Sequence, residues 1–333
     1  MFRCEAEQDN AVAAIHGVLT GIRHERSNDR RSGAFAEARL GYAANRGGRE
    51  GTGAMTERAT VEADSGGGGA GSMLRVATWN INGMRARFDF LVHWLRARRP
   101  DVVGLQELKM PEDAVPRREL EQLGYAVEAC SEKSWNGVAV LSRLPIEVVQ
   151  SGLPGGEEHG ARLLTVRTAG LLFTTVYCPN GKSVEHDDFS RKLEWFDRLA
   201  EHLAESRDPH EPYVLAGDFN ICRRGVDSWD AARFEGRIFH TAEERRRLDA
   251  LIDWGLEDLY RSRGPDDGAF SWWDYRGGAF HRNQGLRIDL LLGTRAVGER
   301  TRDVTIDRDY RKKKDGLVAS DHAPVLADLV RLE

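Results

Sequence analysis

The chain has 333 residues, of which 41% are hydrophobic and 30% charged, and this balance suits one large globular domain or two ordinary ones. Its formal net charge of -5 shows no global basicity that would indicate a nucleic-acid partner, although a local basic patch would suffice to bind one. The four cysteines are scattered without a CxxC pair, which argues against a disulfide framework or a structural zinc site, and no apolar run is long enough to span a membrane. We therefore expect a cytoplasmic protein that does not bind membranes.

Residues 1–72 differ in composition from the rest of the chain. They are rich in Gly, Ala, Arg and Glu, contain no Trp and end in a glycine-rich run over 66–72. Such a composition is typical of a flexible, largely disordered leader. An alternative is that the biological start is Met73 or Met55 and that the upstream residues belong to an over-long reading frame. In either case we predict a single catalytic domain over 73–333.

Apolar runs that end in polar residues predict strands along this domain. The first, Met73–Asn80, precedes a helical pattern from Asn82 to Arg98 and a buried strand over Asp101–Glu107, so these three form a strand–helix–strand unit. The later predicted elements are a short helix over 112–123, strands over 125–129, 137–142, 146–150, 162–168 and 171–177, a helix over 187–206, a strand from 213 that ends in Gly217-Asp218, a helix from 241 to 254, and strands over 287–292, 304–307 and 323–329. Because the helices are interspersed irregularly, we expect an α/β (α+β) fold of packed mixed sheets with outer helices.

Polar side chains stand at the ends of five predicted strands and in one further segment. They are Asn80, Glu107, Tyr177, the pair Asp218 and Asn220, Asp289, and the Asp321-His322 pair. If the strands lie side by side, these side chains converge at one edge of the sheets. Taken singly, each has a plain structural alternative. The stretch Gly217–Asn220 is also typical of a turn, Glu107 with Lys109 of a surface ion pair, and Asp321-His322 of a cap on the last strand.

The chemistry of this set is coherent. Oxygen ligands such as Glu107 and Asp321 suit Mg²⁺ or Mn²⁺, which bind phosphate oxygens. Asp218 and Asn220 can position and deprotonate a water molecule, and a histidine beside a carboxylate has an oriented imidazole. The hydroxyl of Tyr177 can contact a phosphate oxygen. Together these groups predict metal-assisted hydrolysis of a phosphate ester.

Eight stretches, in order along the chain, resemble the exonuclease III group of apurinic/apyrimidinic endonucleases, within the endonuclease/exonuclease/phosphatase superfamily. They are Trp79–Gly83, Leu105–Glu107, Trp135–Ser142, Tyr177–Gly181, Gly217–Asn220, Ser271–Arg276, Gly285–Leu291 and Ser320–Pro324. The resemblance implies a four-layered, DNase I-like sandwich with one or two Mg²⁺ ions, for which Mn²⁺ is a substitute. It also implies cleavage of double-stranded DNA 5′ to abasic sites, with 3′→5′ exonuclease and 3′-phosphodiesterase activity at 3′ ends.

The resemblance assigns the metal site and the attacking water. By position, Glu107 resembles the main metal ligand, with Asn80 beside it, and Asp321 resembles a further acid of the metal site. Asp218 resembles the residue that activates the attacking water. Asn220 resembles the residue that positions the phosphate or this water. We expect Asp218 and Asn220 to lie at the metal as well.

The phosphate and the substrate have their own expected contacts. His322 resembles the phosphate-binding histidine, Asp289 its orienting carboxylate, and Tyr177 the phosphate-contacting tyrosine. Two adjacent tryptophans are costly to expose, so we expect one to fill the core and the other to lie against an extruded sugar or a gapped base stack. The second aromatic of this pair is often Phe in the family. The expected substrate contacts are Asn136, Asn180, Trp272, Trp273, Lys109 and Arg276.

Two other functions fit parts of the pattern. Another phosphodiesterase of the superfamily, of the phosphoinositide or sphingomyelin type, would share the metal centre, although the stretch Ser271–Arg276 favours DNA. A non-catalytic DNA-binding module would be expected to lack one of the central groups, and the sequence holds all of them. The pattern indicates no obligate protein partner, so we expect a monomer.

Overall fold

Two mixed β-sheets form the centre of the fold, which the computed structural model describes for residues 72–264 and 268–331. The strands are β1 (Met73–Asn80), β2 (Val102–Gln106), β3 (Ala126–Cys130), β4 (Val138–Ser142), β5 (Glu147–Ser151), β6 (Leu163–Thr168), β7 (Leu171–Tyr177), β8 (Tyr213–Asp218), β9 (Leu256–Asp258), β10 (Asp289–Thr294), β11 (Thr301–Ile306) and β12 (Val325–Val330). The first sheet has the order β11-β12-β1-β2-β4-β3 and the second the order β5-β6-β7-β8-β10-β9. The predicted leader lies outside the described residues, apart from residue 72.

Helices flank the two sheets. They are α1 (Met84–Arg98), α2 (Arg117–Glu121), α3 (Asp187–Ser206), α4 (Ala231–Phe234), α5 (Ala242–Asp253), α6 (Leu259–Arg263) and α7 (Arg295–Gly298), with 3₁₀ turns at Glu112–Ala114, Glu157–His159, Gly225–Asp227 and Arg308–Arg311. A capping box begins α5. The hydroxyl of Thr241 accepts the N–H of Glu244 at 3.1 Å, and the carboxylate of Glu244 accepts the N–H of Thr241 at 3.0 Å.

The sheets and helices stack as four layers. α1 buries Phe90 and Trp94 against the outer face of the first sheet, and α3 buries Trp195 and Phe196 against the outer face of the second. A third apolar cluster, which includes Phe173, joins the two sheets. β1 and β2 pair in parallel through the crossover α1, and β7 and β8 pair in parallel through α3. The expected four-layered fold is confirmed.

Some elements differ from the expectations. The helix predicted over 112–123 is a 3₁₀ turn followed by α2, because Pro116 between them has no N–H to donate. β9 and α6 occupy 256–263, where the sequence pattern made no assignment. Within the ranges that the structure describes, no helix has the length and hydropathy of a membrane span.

Candidate active site

Strand register brings three predicted residues into a row at one edge of the second sheet. Tyr177 in β7 pairs with Asp218 in β8, and Asp218 pairs in turn with Asp289 in β10. In the first sheet, β1 ends at Asn80, and Glu107 follows the neighbouring strand β2 directly. All five side chains are buried. The main-chain ladders, rather than flexible loops, therefore position most of these groups.

Asn80 joins the two sheets. Its side-chain nitrogen donates to Oε1 of Glu107 at 2.9 Å and to Oδ2 of Asp218 at 3.0 Å. Its Oδ1 accepts the backbone N–H of Asn82 at 3.0 Å, which fixes the orientation of the amide. The role of Asn80 as a metal ligand stays a prediction. Its nitrogen faces the carboxylates, and its oxygen is engaged elsewhere.

Glu107, Asp218 and His322 form the centre of the site. Each offers one ligand atom, and these atoms all lie within 4.8 Å of one another. Burial is the main cause that raises the pKa of Asp218 to about 7; His322 opposes this rise, whereas Asp289 and Glu107 add to it. Burial also acts to raise the pKa of Glu107, but Lys109 and the Asn80 hydrogen bond outweigh it and the pKa is lowered. Two buried carboxylates of hard oxygen atoms this close are suited to a divalent cation.

His322 is held by Asp289. Its Nδ1 donates to Oδ2 of Asp289 at 2.8 Å, and its Nε2 lies 4.0 Å from Oδ2 of Asp218. Burial acts to lower the pKa of this imidazole, but Asp289 and Asp218 raise it to about 10. Asp289 is held in turn through its backbone N–H, which donates to the hydroxyl of Ser271 at 3.0 Å. The imidazole therefore presents Nε2 to the centre of the site as a positively charged donor.

Asn220 and Tyr177 lie next to Asp218 at the same edge of the second sheet. The backbone N–H of Asn220 donates to Oδ1 of Asp218 at 3.0 Å, and its side-chain nitrogen donates to the carbonyl of Cys178 at 3.0 Å. Burial, with the nearby Glu107, raises the pKa of Tyr177 well above its usual value, so the phenol stays protonated. The guanidinium of Arg162 lies 4.8 Å from the centre of the Tyr177 ring. Both Asn220 and Tyr177 are thus where the sequence placed them.

Asp321 contacts two side chains that the sequence did not indicate, whereas Lys109 forms the ion pair with Glu107 that the sequence offered as an alternative. Oδ1 of Asp321 accepts the side-chain N–H of Asn82 at 2.8 Å, and its Oδ2 accepts the indole N–H of Trp272 at 3.1 Å. The ammonium of Lys109 contacts Oε2 of Glu107 at 2.7 Å and Oδ1 of Asn82 at 2.8 Å. Lys109 is therefore a counter-ion of Glu107, and its role as a substrate contact stays a prediction. Asp321 stands beside the three-residue cluster rather than within it.

The two tryptophans divide as expected, and the structure shows which is which. Trp273 is fully buried and packs edge-on against Phe280, with ring centres 5.1 Å apart. Its assignment as a substrate contact is corrected, because its side chain fills the core. Trp272 is partly exposed and is tied to the site through Asp321. Trp272 remains the aromatic of this pair that a substrate can reach.

Three further predicted contacts lie around this centre. The side-chain nitrogen of Asn136 donates to the carboxylate of Glu132. Oδ1 of Asn180 accepts the N–H of Lys182 at 3.1 Å, in the loop that follows β7. Arg276 is exposed, and its backbone N–H donates to Asp274 at 2.8 Å. These residues thus have local contacts of their own, and their role as substrate contacts stays a prediction.

Sequence reasoning missed three residues that organise the site. Asn82 links Asp321 to Lys109, Arg162 stacks on Tyr177, and Ser271 holds the start of β10. Asn82 and Ser271 lie inside stretches that carried the family resemblance, so the motif contained them without a role. Arg162 begins a predicted strand, and no local pattern indicated its contact with Tyr177.

Comparisons with known proteins identify the family and relatives of the chain. The model of the Endonuclease/Exonuclease/phosphatase family matches residues 77–322. The chain is 34% identical over 268 residues to exodeoxyribonuclease III of Haemophilus influenzae, covering 77% of this chain and 99% of that protein. Among solved structures, it is similar to a 3′ phosphatase from Neisseria bound to a product DNA hairpin, at 33% identity and a TM-score of 0.74, covering 77% of this chain and 99% of that one. An AP endonuclease from Archaeoglobus fulgidus gives 29% identity and a TM-score of 0.73, covering 76% of this chain and 98% of that one.

Proposed function

The chain belongs to the endonuclease/exonuclease/phosphatase family, and we propose that it is a DNA-repair nuclease that hydrolyses the DNA backbone 5′ to abasic sites, with 3′→5′ exonuclease and 3′-phosphodiesterase activity. The observation that carries this proposal is the bridge formed by Asn80. It brings Glu107 and Asp218 together from different sheets, opposite a histidine oriented by a carboxylate. A complete set of this kind favours catalysis over a DNA-binding module without activity.

The metal that suits these residues is Mg²⁺, with Mn²⁺ as a substitute. Glu107 would hold it, with Asp218 close by, since both are buried carboxylates within the same cluster. When bound, the cation supplies electrostatic stabilisation of the charge on the phosphate oxygens. Asn80 and Lys109 hold the two oxygens of Glu107 in fixed directions, at 2.9 and 2.7 Å. The carboxylate is therefore preorganised for its ligand.

The residues of the chain divide the hydrolysis between them. Asp218 accepts the proton of the attacking water, because its carboxylate is fixed on one side by Asn80 and on the other by the N–H of Asn220. Nε2 of His322, aimed by Asp289, donates to a phosphate oxygen that carries developing charge. Tyr177 stays protonated and donates to another phosphate oxygen. The water and the phosphate are thus held in line by groups that need little rearrangement.

DNA is the partner that this surface suits. Lys312 and Lys313 are exposed and follow Arg311, which donates to the main-chain oxygens of Trp273 and Asp321. These lysines therefore follow directly on a residue that contacts the Trp272–Trp273 segment, and a local basic patch binds phosphates in a salt-dependent way. We propose that Trp272 lies against the sugar of an abasic nucleotide. We further propose a monomer located in the cytoplasm, where the thiols of Cys130, Cys178 and Cys222 stay free.

The test is cleavage of a duplex that contains a tetrahydrofuran abasic analogue, run beside a blunt undamaged duplex. We expect Mg²⁺-dependent incision 5′ to the analogue that EDTA abolishes, and slower degradation from the 3′ ends. The variant Asp218→Asn should bind the duplex like the wild type and lose about 10³-fold or more in turnover. The matched control is Asp253→Asn, an exposed acid at the end of α5, which should cleave normally. No incision by micromolar wild-type protein would reject the proposed function.

A further inference from the structure

A lysine without solvent exposure lies beneath the active site. Lys192 in α3 is 0% exposed, so it cannot contact DNA directly. Its ammonium donates to the main-chain oxygen of Asn220 at 2.7 Å, to Oε1 of Glu244 at 2.5 Å and to the main-chain oxygen of Asn180 at 3.3 Å. The ring of Phe239 lies 4.8 Å away on another side. One buried cation thus contacts three segments of the chain that are distant in sequence.

Two of these segments follow the strands that carry the reacting groups. Asn180 is three residues beyond Tyr177 at the end of β7, and Asn220 is two residues beyond Asp218 at the end of β8. Lys192 therefore connects the loop that follows β7 with the loop that follows β8, from the interior of the protein. Lys192 bonds the C=O of Asn220, whereas the N–H of Asn220, in the preceding peptide unit, is turned towards the site and donates to Oδ1 of Asp218.

The backbone of Asn220 needs this support. Its φ of 52° lies in the left-handed region, which is unfavourable for most residues although asparagine tolerates it. Three contacts hold it there: the N–H on Asp218, the side chain on the carbonyl of Cys178, and the C=O on Lys192. The Cys178 partner is a main-chain carbonyl, which a substitution does not remove, and the Asp218 partner is itself a reacting group. Lys192 is therefore the partner that a substitution can remove without changing a group that faces the site.

Glu244 explains how the charge of Lys192 is tolerated. This carboxylate is also 0% exposed, and it caps α5 as well as pairing with the lysine. Its Oε1 accepts the N–H of Phe239 at 3.0 Å, and its Oε2 accepts the N–H and the hydroxyl of Thr241. A buried ion pair is weak evidence for stability, since apolar residues of the same volume often stabilise a fold as well. An ammonium can, however, bond two carbonyls at once, which an apolar side chain cannot do.

We propose that Lys192 is a positioning residue for the hydrolysis, and this proposal rests on the proposed function. It fixes the C=O of Asn220, and with it the left-handed main chain at this residue, so that the N–H on the other side of the Asn220 Cα holds Oδ1 of Asp218 in the direction from which that carboxylate accepts the proton of water. Glu244 is the counter-ion that allows the cation to be buried. The lysine acts on turnover through Asp218 and leaves the binding of DNA unchanged.

Three variants separate positioning from stability: Lys192→Met, Glu244→Gln and the double variant with both changes. Each is compared with the wild type in melting temperature and in kcat and KM on the abasic duplex, well below the lowest melting temperature. Lys192→Met should lower kcat about 10- to 100-fold and leave KM within about threefold. Glu244→Gln should melt earlier because it removes the counter-ion of a buried ammonium, yet keep kcat within about threefold, since the Lys192 amine donates to both carbonyls whether it is charged or neutral. The double variant should regain part of the melting temperature lost in Lys192→Met without regaining kcat.

Amide hydrogen exchange supplies a readout that does not depend on cleavage. Exchange of the Asn220 N–H should quicken in Lys192→Met and in the double variant but not in Glu244→Gln. A decline of kcat that follows melting temperature across the three variants would overturn the proposal, as would unchanged exchange at Asn220 in Lys192→Met. Failure of the proposed function would show instead in the wild type, as a protein that does not cleave while its Asn220 exchange still depends on Lys192.

Discussion

Replacement of Asp289 by asparagine tests the pairing that orients His322. The asparagine keeps the shape of the side chain and one acceptor for Nδ1–H, but it removes the negative charge that lies 2.8 Å from the ring. Two charges about 4 Å apart interact by about 4 kcal/mol at the effective dielectric constant of partly buried pairs. Since each 1.36 kcal/mol is a factor of about ten in rate, the full loss of this interaction corresponds to about 10³-fold. Loss of orientation alone costs about 10- to 100-fold, so we expect a fall of about 10²- to 10³-fold in kcat/KM.

Steady-state cleavage of the abasic duplex under Mg²⁺ measures this change, and DNA affinity is measured separately by titration with Ca²⁺ in place of Mg²⁺. The affinity should change little, because Asp289 is buried behind the histidine. The exposed-acid variant Asp253→Asn serves as the control for the loss of one negative charge. A rate for Asp289→Asn within about threefold of the wild type would show that His322 needs neither the charge nor the anchor, and the reasoning would fail.

Three further outcomes follow from contacts outside the reacting groups. Arg287→Met should lower the free energy of unfolding by about 3–5 kcal/mol in urea titrations, because it leaves the buried carboxylates of Asp227 and Asp258 without their shared cation; a change below about 1 kcal/mol would contradict this. Burial lowers the pKa of His240, so near neutral pH and below the folded chain binds fewer protons than the unfolded chain, and the protein loses stability as the pH falls below about 6.5. The variant His240→Leu lacks this group and should therefore lose less stability than the wild type between pH values of about 7.5 and 5.5. Equal losses of stability in the two proteins would refute this prediction. A chain that starts at Met73 should melt and cleave like the full chain, and a large loss of activity would show that the leader contributes.

The sequence predicted the strand ends well because each is a local signal. A buried apolar run stops at a polar residue, as at Asn80, Tyr177 and Asp218, and parallel neighbours end at the same edge of a sheet. Register then decides which polar groups stand side by side. The local sequence pattern does not determine the register. Once the strands pair, the register places Tyr177, Asp218 and Asp289 side by side.

Contacts between distant segments were beyond the sequence pattern. The amide of Asn80 has two orientations in any isolated strand, and only the N–H of Asn82 and the facing carboxylates select one. Trp272 and Trp273 are chemically identical neighbours, and the choice of which enters the core depends on where Phe280 lies. Lys192 resembles any polar residue of an amphipathic helix until the loops that it supports are seen in space.

Because Asn80 bridges the two sheets, catalysis depends on the position of one sheet relative to the other. Glu107 belongs to one sheet and Asp218 to the other, and the Asn80 amide joins these two carboxylates at 2.9 and 3.0 Å. A slip of about 1 Å between the sheets would break the bridge while every strand kept its own ladder, and displacements of that size cost about 100-fold in rate. High pressure or mild denaturant should therefore abolish the activity of the enzyme under conditions that leave its secondary structure intact. Substitutions in the apolar layer between the sheets, far from the DNA, should lower the activity in the same way, by shifting one sheet against the other.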